Sequence, residues 1–246
     1  MKEPSGLGRM WSLYKQGGVT PAIASILGMQ NAHQMAQIRN MNRDQRRFSV
    51  LETPLHDLEI VVFDLETTGF HVNNGDEIIS FGAVRIKNNE LLSEETFYSL
   101  VNPKRLIPSE VMELTGITNQ DVQKAPDLIE VLSKFMAFVG KSVLVAHASG
   151  HDKQFLNQAL WRTSKTQLNH RVIDTMMLAK WLQPDLKQYD LDSCLHANEI
   201  EIRNRHHALE DSIMTAELWI SYMKKIAQRN RNINTLGDLY AYLSKR

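Results

Sequence analysis

The feature that most constrains this chain is the run Ile60-Val61-Val62-Phe63-Asp64-Leu65-Glu66-Thr67-Thr68-Gly69. In it, β-branched and aromatic residues lead into two carboxylates at alternate positions, then two hydroxyls and a glycine. The apolar part predicts a buried strand. Residues i and i+2 of a strand point the same way, so Asp64 and Glu66 share a face. Two acids side by side at the end of a buried strand repel each other unless a cation lies between them. Hard oxygen donors at that density suit Mg²⁺ or Mn²⁺. By itself the pair also fits an ordinary solvated strand end, so any further ligands must come from elsewhere in the chain.

The chain of 246 residues fits one ordinary domain with extensions, and 43% hydrophobic residues suffice for a core. Cys194 is its one cysteine; it forms no internal disulfide, reads as a small core residue, and suits a reducing compartment. No apolar run approaches the length of a membrane span, and the first apolar cluster, Val19 to Met29, is interrupted by Pro21. The expectation is a soluble cytoplasmic protein with no membrane association. Zero net charge conceals an asymmetry. Lys and Arg against Asp and Glu number 7 to 2 over residues 1–50, 15 to 25 over 51–223, and 6 to 1 over 224–246. An acidic middle would repel a polyanion unless bound cations and basic flanks offset it. Solvated terminal helices account for the basic ends equally well.

Leu7, Met10, Trp11 and Tyr14 fall on one helical face, stopped by Gly17-Gly18. Thr20-Pro21 then reads as the start of a second helix to about Arg47, with Ile23, Ile26, Leu27, Met35 and Ile38 near helical spacing. After the opening strand, residues 77–86 and 91–101 alternate around the polar turn Lys87-Asn88-Asn89-Glu90, predicting an antiparallel meander. Helices are expected from Ile107-Pro108 to Gly116 and from Ala125-Pro126 to Gly140. Ser142 to Ala146 reads as a buried strand before a helix carrying Asp152, and Arg171 to Ile173 as a strand before a helix capped by Asp174. A last long helix follows His206-His207. The fold class is thus α/β, a mixed sheet of three antiparallel meander strands plus parallel strands, flanked by helices. The expected organisation is a basic helical N-terminal extension (1–55), a central domain (56–228) and a basic C-terminal tail (229–246), the tail being either a final short helix or frayed.

Asp152 lies in the first turn of the helix after a buried strand, and Asp211 in the first turns of the last helix, five residues after His206. With Asp64 and Glu66 these acids are placed to meet at one edge of the sheet. An Asp near a helix N-terminus is also favoured for dipole reasons alone; it is the joint order and context that is specific. Over residues 58–225 the chain resembles the DEDDh exonucleases, a family that includes the epsilon proofreading subunit of bacterial replicative DNA polymerase. The resemblance rests on three motifs: Phe63-Asp64-Leu65-Glu66-Thr67-Thr68-Gly69; Val145-Ala146-His147-Ala148-Ser149-Gly150-His151-Asp152; and His206-His207-Ala208-Leu209-Glu210-Asp211. Ile107-Pro108, Leu114-Thr115-Gly116-Ile117-Thr118, Asp174-Thr175 and Leu191-Asp192 match the segments between them.

The resemblance implies a ribonuclease H-like fold and a 3′→5′ exonuclease with two divalent cations, Mg²⁺ or Mn²⁺. In that scheme Asp64, Glu66 and Asp211 hold one cation, Asp64 bridges to the second, and Asp152 supports the second. His206, chosen over His207 by the family spacing, takes a proton from the attacking water. Thr67, Thr68 and Gly69, with Ile117 and His147, surround the 3′-terminal nucleotide. Where the family usually has Asn and Phe, this chain has Ala148 and His151, which leaves nucleotide positioning open. The leading expectation is degradation of single-stranded DNA, or RNA, from 3′ ends to nucleoside 5′-monophosphates. One alternative is a proofreading subunit active only when docked on a DNA polymerase, or another replication or repair protein, through the N-terminal extension or the basic C-terminus. Another is a nucleic-acid-binding module of the same fold.

Overall fold

A computed structural model describes residues 21–45, 50–229 and 232–244; the helix expected around Leu7 to Tyr14 lies outside them. The elements run α1 (Pro21–Gln45), β1 (Ile60–Thr67), β2 (Ile78–Lys87), β3 (Glu90–Leu100), α2 (Ser109–Thr115), α3 (Asn119–Gln123), α4 (Leu128–Val139), β4 (Val143–Ala146), α5 (Gly150–Ser164), β5 (Val172–Asp174), α6 (Thr175–Leu182), α7 (Leu191–His196), α8 (Ala208–Arg229) and α9 (Leu236–Leu243). The strands form one sheet ordered β3-β2-β1-β4-β5. β1, β2 and β3 pair antiparallel, while β1–β4 and β4–β5 pair parallel. The mixed sheet expected from the sequence is therefore present.

Strand parity divides the core. Ile60 and Val62 of β1, Val84 and Ile86 of β2, and Val143 and Val145 of β4 face a layer built from α6, α7, α8 and α9, where Trp219 and Tyr222 are fully buried. Val61, Phe63 and Leu65, with Phe81, Leu144 and Ala146, face α4 and α5. There Phe135 packs its ring 5.9 Å from Phe63, 5.0 Å from Phe81 and 5.8 Å from Phe97. Each such fully buried side chain contributes roughly 1.5–3 kcal/mol. Asp64 and Glu66 share the parity of Ile60 and Val62, which turns them toward α8.

Two features of the sheet place the acids. The pairing of β1 with β4 ends at Val62↔Val145, so the residues from Asp64 onward have no β4 neighbour and the start of α5 fills the gap. On the other side Asp64 lies opposite Gly82 of β2. A Cβ at Gly82 would fall deep inside van der Waals contact with the backbone of Ala208 and Leu209. The missing side chain is what lets the first turn of α8 sit directly on the sheet beside Asp64.

Both flanks place apolar residues against the central domain. Ile38 of α1 is fully buried against the α4–α5 layer, Arg39 Nε donates to Ser164 O at 2.8 Å, and Asn169 Nδ2 donates to Asn42 O at 2.9 Å. The basic tail expected at 229–246 carries α9, opened by a Thr235–Asp238 capping box and burying Leu236 and Leu239. Eight residues, little more than two helical turns, were too few for periodicity to separate helix from fray. The five-residue helix α3 was also missed; its start is fixed by a Thr118–Asp121 capping box rather than by an apolar stripe.

Gly82→Ala should overpack the β2–α8 contact, costing about 1–3 kcal/mol, and move Asp211 away from Asp64. Urea unfolding beside divalent-cation binding checks this, with both stability and cation affinity expected to fall. An unchanged affinity in the folded variant would contradict the role given to Gly82.

Candidate active site

β1 ends in a register shift between Glu66 and Thr67, after which the chain turns away under local hydrogen bonds. Thr67 Oγ1 donates to Gly69 O at 2.7 Å. Thr68 Oγ1 donates to Asp76 Oδ1 at 3.1 Å and accepts from Glu77 N–H at 3.0 Å. The result is a cleft of about 390 Å³ whose walls include Asp64, Glu66, Asp152, His206 and Asp211. All five residues read as catalytic thus line one space.

Each is delivered differently. Asp64 and Glu66 are half-buried at the strand end. Asp152, buried in the first turn of α5, accepts the Leu65 backbone N–H that β1 leaves free beyond β4. Asp211, buried in the first turn of α8, accepts the His206 backbone N–H at 3.1 Å. His206 adopts φ 60°, a left-handed turn that costs a non-glycine residue energy; the turn brings its ring back over the acids. One ligand atom from each of Glu66, His206 and Asp211 lies within 4.8 Å of the others. His207, the neighbouring candidate, instead stacks on Tyr98, centroids 4.6 Å apart at 19°.

The electrostatics follow from crowding. Burial, then the carboxylates of Asp152, Glu66 and Asp211, push Asp64 well above the ordinary carboxylate range. Burial, then Asp211 and Asp152, push Glu66 up to about 8. Burial raises Asp152 to about 7 against the backbone hydrogen bonds it accepts. Asp211 Oδ1 is buried with no hydrogen-bond partner. Four oxygen-donor side chains, three of them holding protons they would shed beside positive charge, and one orphaned carboxylate oxygen fit a hard divalent cation. The His206 ring lies beside the Glu66 and Asp211 carboxylates.

The other residues read as substrate contacts are placed unevenly. Thr67, Gly69 and His147 line the cleft. His147 has both ring nitrogens engaged, Nδ1 with Thr175 Oγ1 and Nε2 with Tyr189 O, each at 2.8 Å, which leaves its ring face for a ligand. Thr68 is buried with its hydroxyl committed to Asp76 and Glu77. Ile117 is buried among Ile79, Ile107 and Val122, while its neighbours Val111, Leu114 and Thr115 reach the cleft. At the two departures from the family motif, Ala148 takes φ 52°. His151 sits 5.6 Å from Phe70 and 4.6 Å from Phe155 by ring centroids, with Nε2 3.3 Å from Thr67 Oγ1.

Sequence reasoning missed three cleft residues. Phe70 and Leu114 are exposed apolar side chains at the cleft, 78% and 50% accessible; an aromatic directly after the motif glycine was the available signal for the first. Arg205 forms ion pairs with Asp192 and Asp211, and its adjacency to His206 was the only trace of it.

The chain matches the exonuclease (RNase T) family model over residues 61–219. It is 42% identical over 186 residues to the PolC-type DNA polymerase III of Clostridium perfringens, covering 75% of this chain and 13% of that protein. It is 36% identical over 199 residues to a DNA polymerase III subunit epsilon-like protein of Rhodobacter capsulatus, covering 80% of this chain and 28% of that one. The fold is that of the nuclease domain of 3′hExo, a DEDDh family member bound to rAMP (TM-score 0.61, 23% identity, 72% and 96% covered). It is shared with exonuclease X in complex with 5′ overhanging duplex DNA (TM-score 0.56, 22% identity, 71% and 96% covered). Among the described residues no helix is long and apolar enough to cross a membrane.

Because Glu66 and Asp152 hold protons in the folded cation-free protein at pH values where the unfolded chain has released them, stability should decline as pH rises from the ordinary carboxylate range to about 8. Thermal unfolding from pH 5 to 8.5 in chelator checks this. Glu66→Gln should flatten the upper part of the decline, and added Mg²⁺ should remove most of it. A stability that rises over this window would refute the protonated cluster.

Proposed function

The chain belongs to the exonuclease family, and from that premise we propose that it is a DEDDh-type 3′→5′ exonuclease that hydrolyses single-stranded DNA to nucleoside 5′-monophosphates with two divalent cations, Mg²⁺ or Mn²⁺. The observation that carries this reading is the convergence of Asp64, Glu66, Asp152 and Asp211 with His206 on one cleft. Asp64, Glu66 and Asp211 would hold one cation and Asp64 with Asp152 the other. Bound there, the cations would supply positive charge to the attacking and leaving oxygens of an in-line displacement at phosphorus.

The protein's own groups divide the remaining work. His206 takes a proton from the attacking water as the new P–O bond forms and the bond to the 3′-oxygen of the penultimate nucleotide breaks. A positioned histidine base is worth about 10²–10⁴ in rate. The hydrogen bond from the His206 backbone to Asp211 ties the base to a cation ligand, so the two are oriented together. Phe70 and Leu114 offer apolar surface at the cleft against which a terminal base stacks, a contact indifferent to base identity. His147, Thr67 and Gly69 shape the space for the sugar and phosphate, and Thr68 and Ile117 support that wall from behind. We place the enzyme in the cytoplasm.

A second reading is favoured by the relatives: the chain spans about an eighth of the clostridial polymerase, at 13% of its length. This exonuclease would then act as a proofreading module on a polymerase or another replication or repair protein, docked through residues 1–55. The binding-module alternative predicts damaged acids, and all four, with His206, are present.

Matched 5′-labelled DNA and RNA oligomers incubated with Mg²⁺ or Mn²⁺ should give ladders shortening from the 3′ end, faster for DNA. Asp211→Ala should lower turnover by at least about 10³-fold, several kcal/mol of lost charge stabilisation, and His206→Ala by about 10²–10⁴-fold. A folded Asp211→Ala protein with near-normal turnover would sink the mechanism. Cleavage that appears only when a polymerase is added would select the proofreading reading.

A further inference from the structure

Arg205 lines the cleft beside the acid cluster, and its two ends are held differently. Nε donates to Asp192 Oδ1 in the first turn of α7, a hydrogen bond reinforced by charge. Nη1 pairs with Asp211 Oδ2, while the other oxygen of the same carboxylate, Asp211 Oδ1, is buried without a hydrogen-bond partner. The Asp192 end is therefore an anchor with directional bonding. The Asp211 end engages one oxygen only, without the bidentate geometry that makes an arginine–carboxylate contact strong. The guanidinium lines the cleft beside His206, on the carboxylate that the reading above assigns to a cation.

We propose that Arg205 is the resident counter-cation of this cleft: anchored by Asp192, it neutralises Asp211 in the cation-free protein and must give up that carboxylate to an arriving divalent ion. The inference rests on the metal-dependent reading of the site. Its physical basis is exchange. Removing one partner of a buried pair leaves an uncompensated charge, so the acids need a positive charge before the ion arrives, and Arg205 supplies it within the fold. A divalent ion would bring two charges and gather oxygens of Asp211 and its neighbour Glu66, where Nη1 brings one charge to one oxygen, so the ion wins the carboxylate at a cost that raises its dissociation constant. Arg205 thereby sets the concentration at which the site fills. It is a positioning residue and acts on the reaction through Asp211.

Calorimetric titration of the full chain with Mn²⁺ and with Mg²⁺ tests this, using wild type, Arg205→Gln and Arg205→Lys. A lysine keeps a charge and loses the fork that spans Asp192 and Asp211. Both variants should bind Mn²⁺ more tightly than wild type, Arg205→Gln by about three- to tenfold and Arg205→Lys by less. In chelator Arg205→Gln should melt below wild type, and saturating Mg²⁺ should close that gap, which a merely structural arginine would leave open. Unchanged or weaker Mn²⁺ binding in both variants, with binding intact in wild type, overturns this inference alone. No binding to any of the three proteins overturns the metal-dependent reading with it, whereas binding only to the variants supports the exchange in its strongest form.

Discussion

Four carboxylates at the end of one buried strand repel each other, and the rest of the structure is arranged around managing that repulsion. Moving the group apart would end it at once. The fold instead fixes Asp152 by a backbone N–H from β1 and Asp211 by a backbone N–H from His206, so neither acid can retreat. What remains adjustable is charge. Protons on Glu66 and Asp152, held up to about 8 and about 7, and the guanidinium of Arg205 carry the cluster until stronger positive charge arrives.

The core is what makes this rigidity affordable. Alternation along β1 sends Phe63 and Leu65 into the layer under α4 and α5 and leaves Asp64 and Glu66 on the α8 side, so the same strand that anchors the hydrophobic layers presents the acids. α8 is pinned along its length by Trp219, Tyr222 and Ile226, and its first turn can approach the sheet only because β2 has Gly82 there. A helix held by its apolar stripe thus delivers a carboxylate from its N-terminal turn, where the helix dipole also favours negative charge.

The parts of this arrangement that follow local rules were legible in the sequence. The strand from Ile60, the meander and the capping Asp174 depend on period and turn chemistry, while the grouping of Asp64, Glu66, Asp152, His206 and Asp211 rests on the resemblance of three motifs to those of a family. What was not legible depends on contacts between distant segments. Nothing near Gly82 announces that Ala208 will lie on it, and nothing near Arg205 announces Asp192. Leu114 and Ile117 illustrate the same limit within a few residues. Both are apolar and both flank Gly116, but the positive φ of 71° there ends α2 and sends Ile117 into the core while Leu114 stays at the cleft.

The second motif shows how a departure from a family pattern is absorbed. Position 148 takes φ 52°, a conformation asparagine tolerates and alanine enters at a cost of about 1–2 kcal/mol. The cost is met locally: Asp174 Oδ1 and Oδ2 accept the N–H groups of Ala148 and Ser149, each at 2.9 Å, and Asp174 Oδ1 also caps α6 at Met176, at 2.9 Å. One carboxylate therefore enforces the turn that an asparagine would have favoured by itself, and it fixes where α5 begins. Three residues on, His151 occupies the aromatic position between Phe70 and Phe155 and adds a nitrogen facing Thr67 Oγ1. The departure keeps the shape of the cleft wall while making it polar. Asp152 follows directly, so the geometry of the acid depends on a turn held from β5, the edge strand of the sheet.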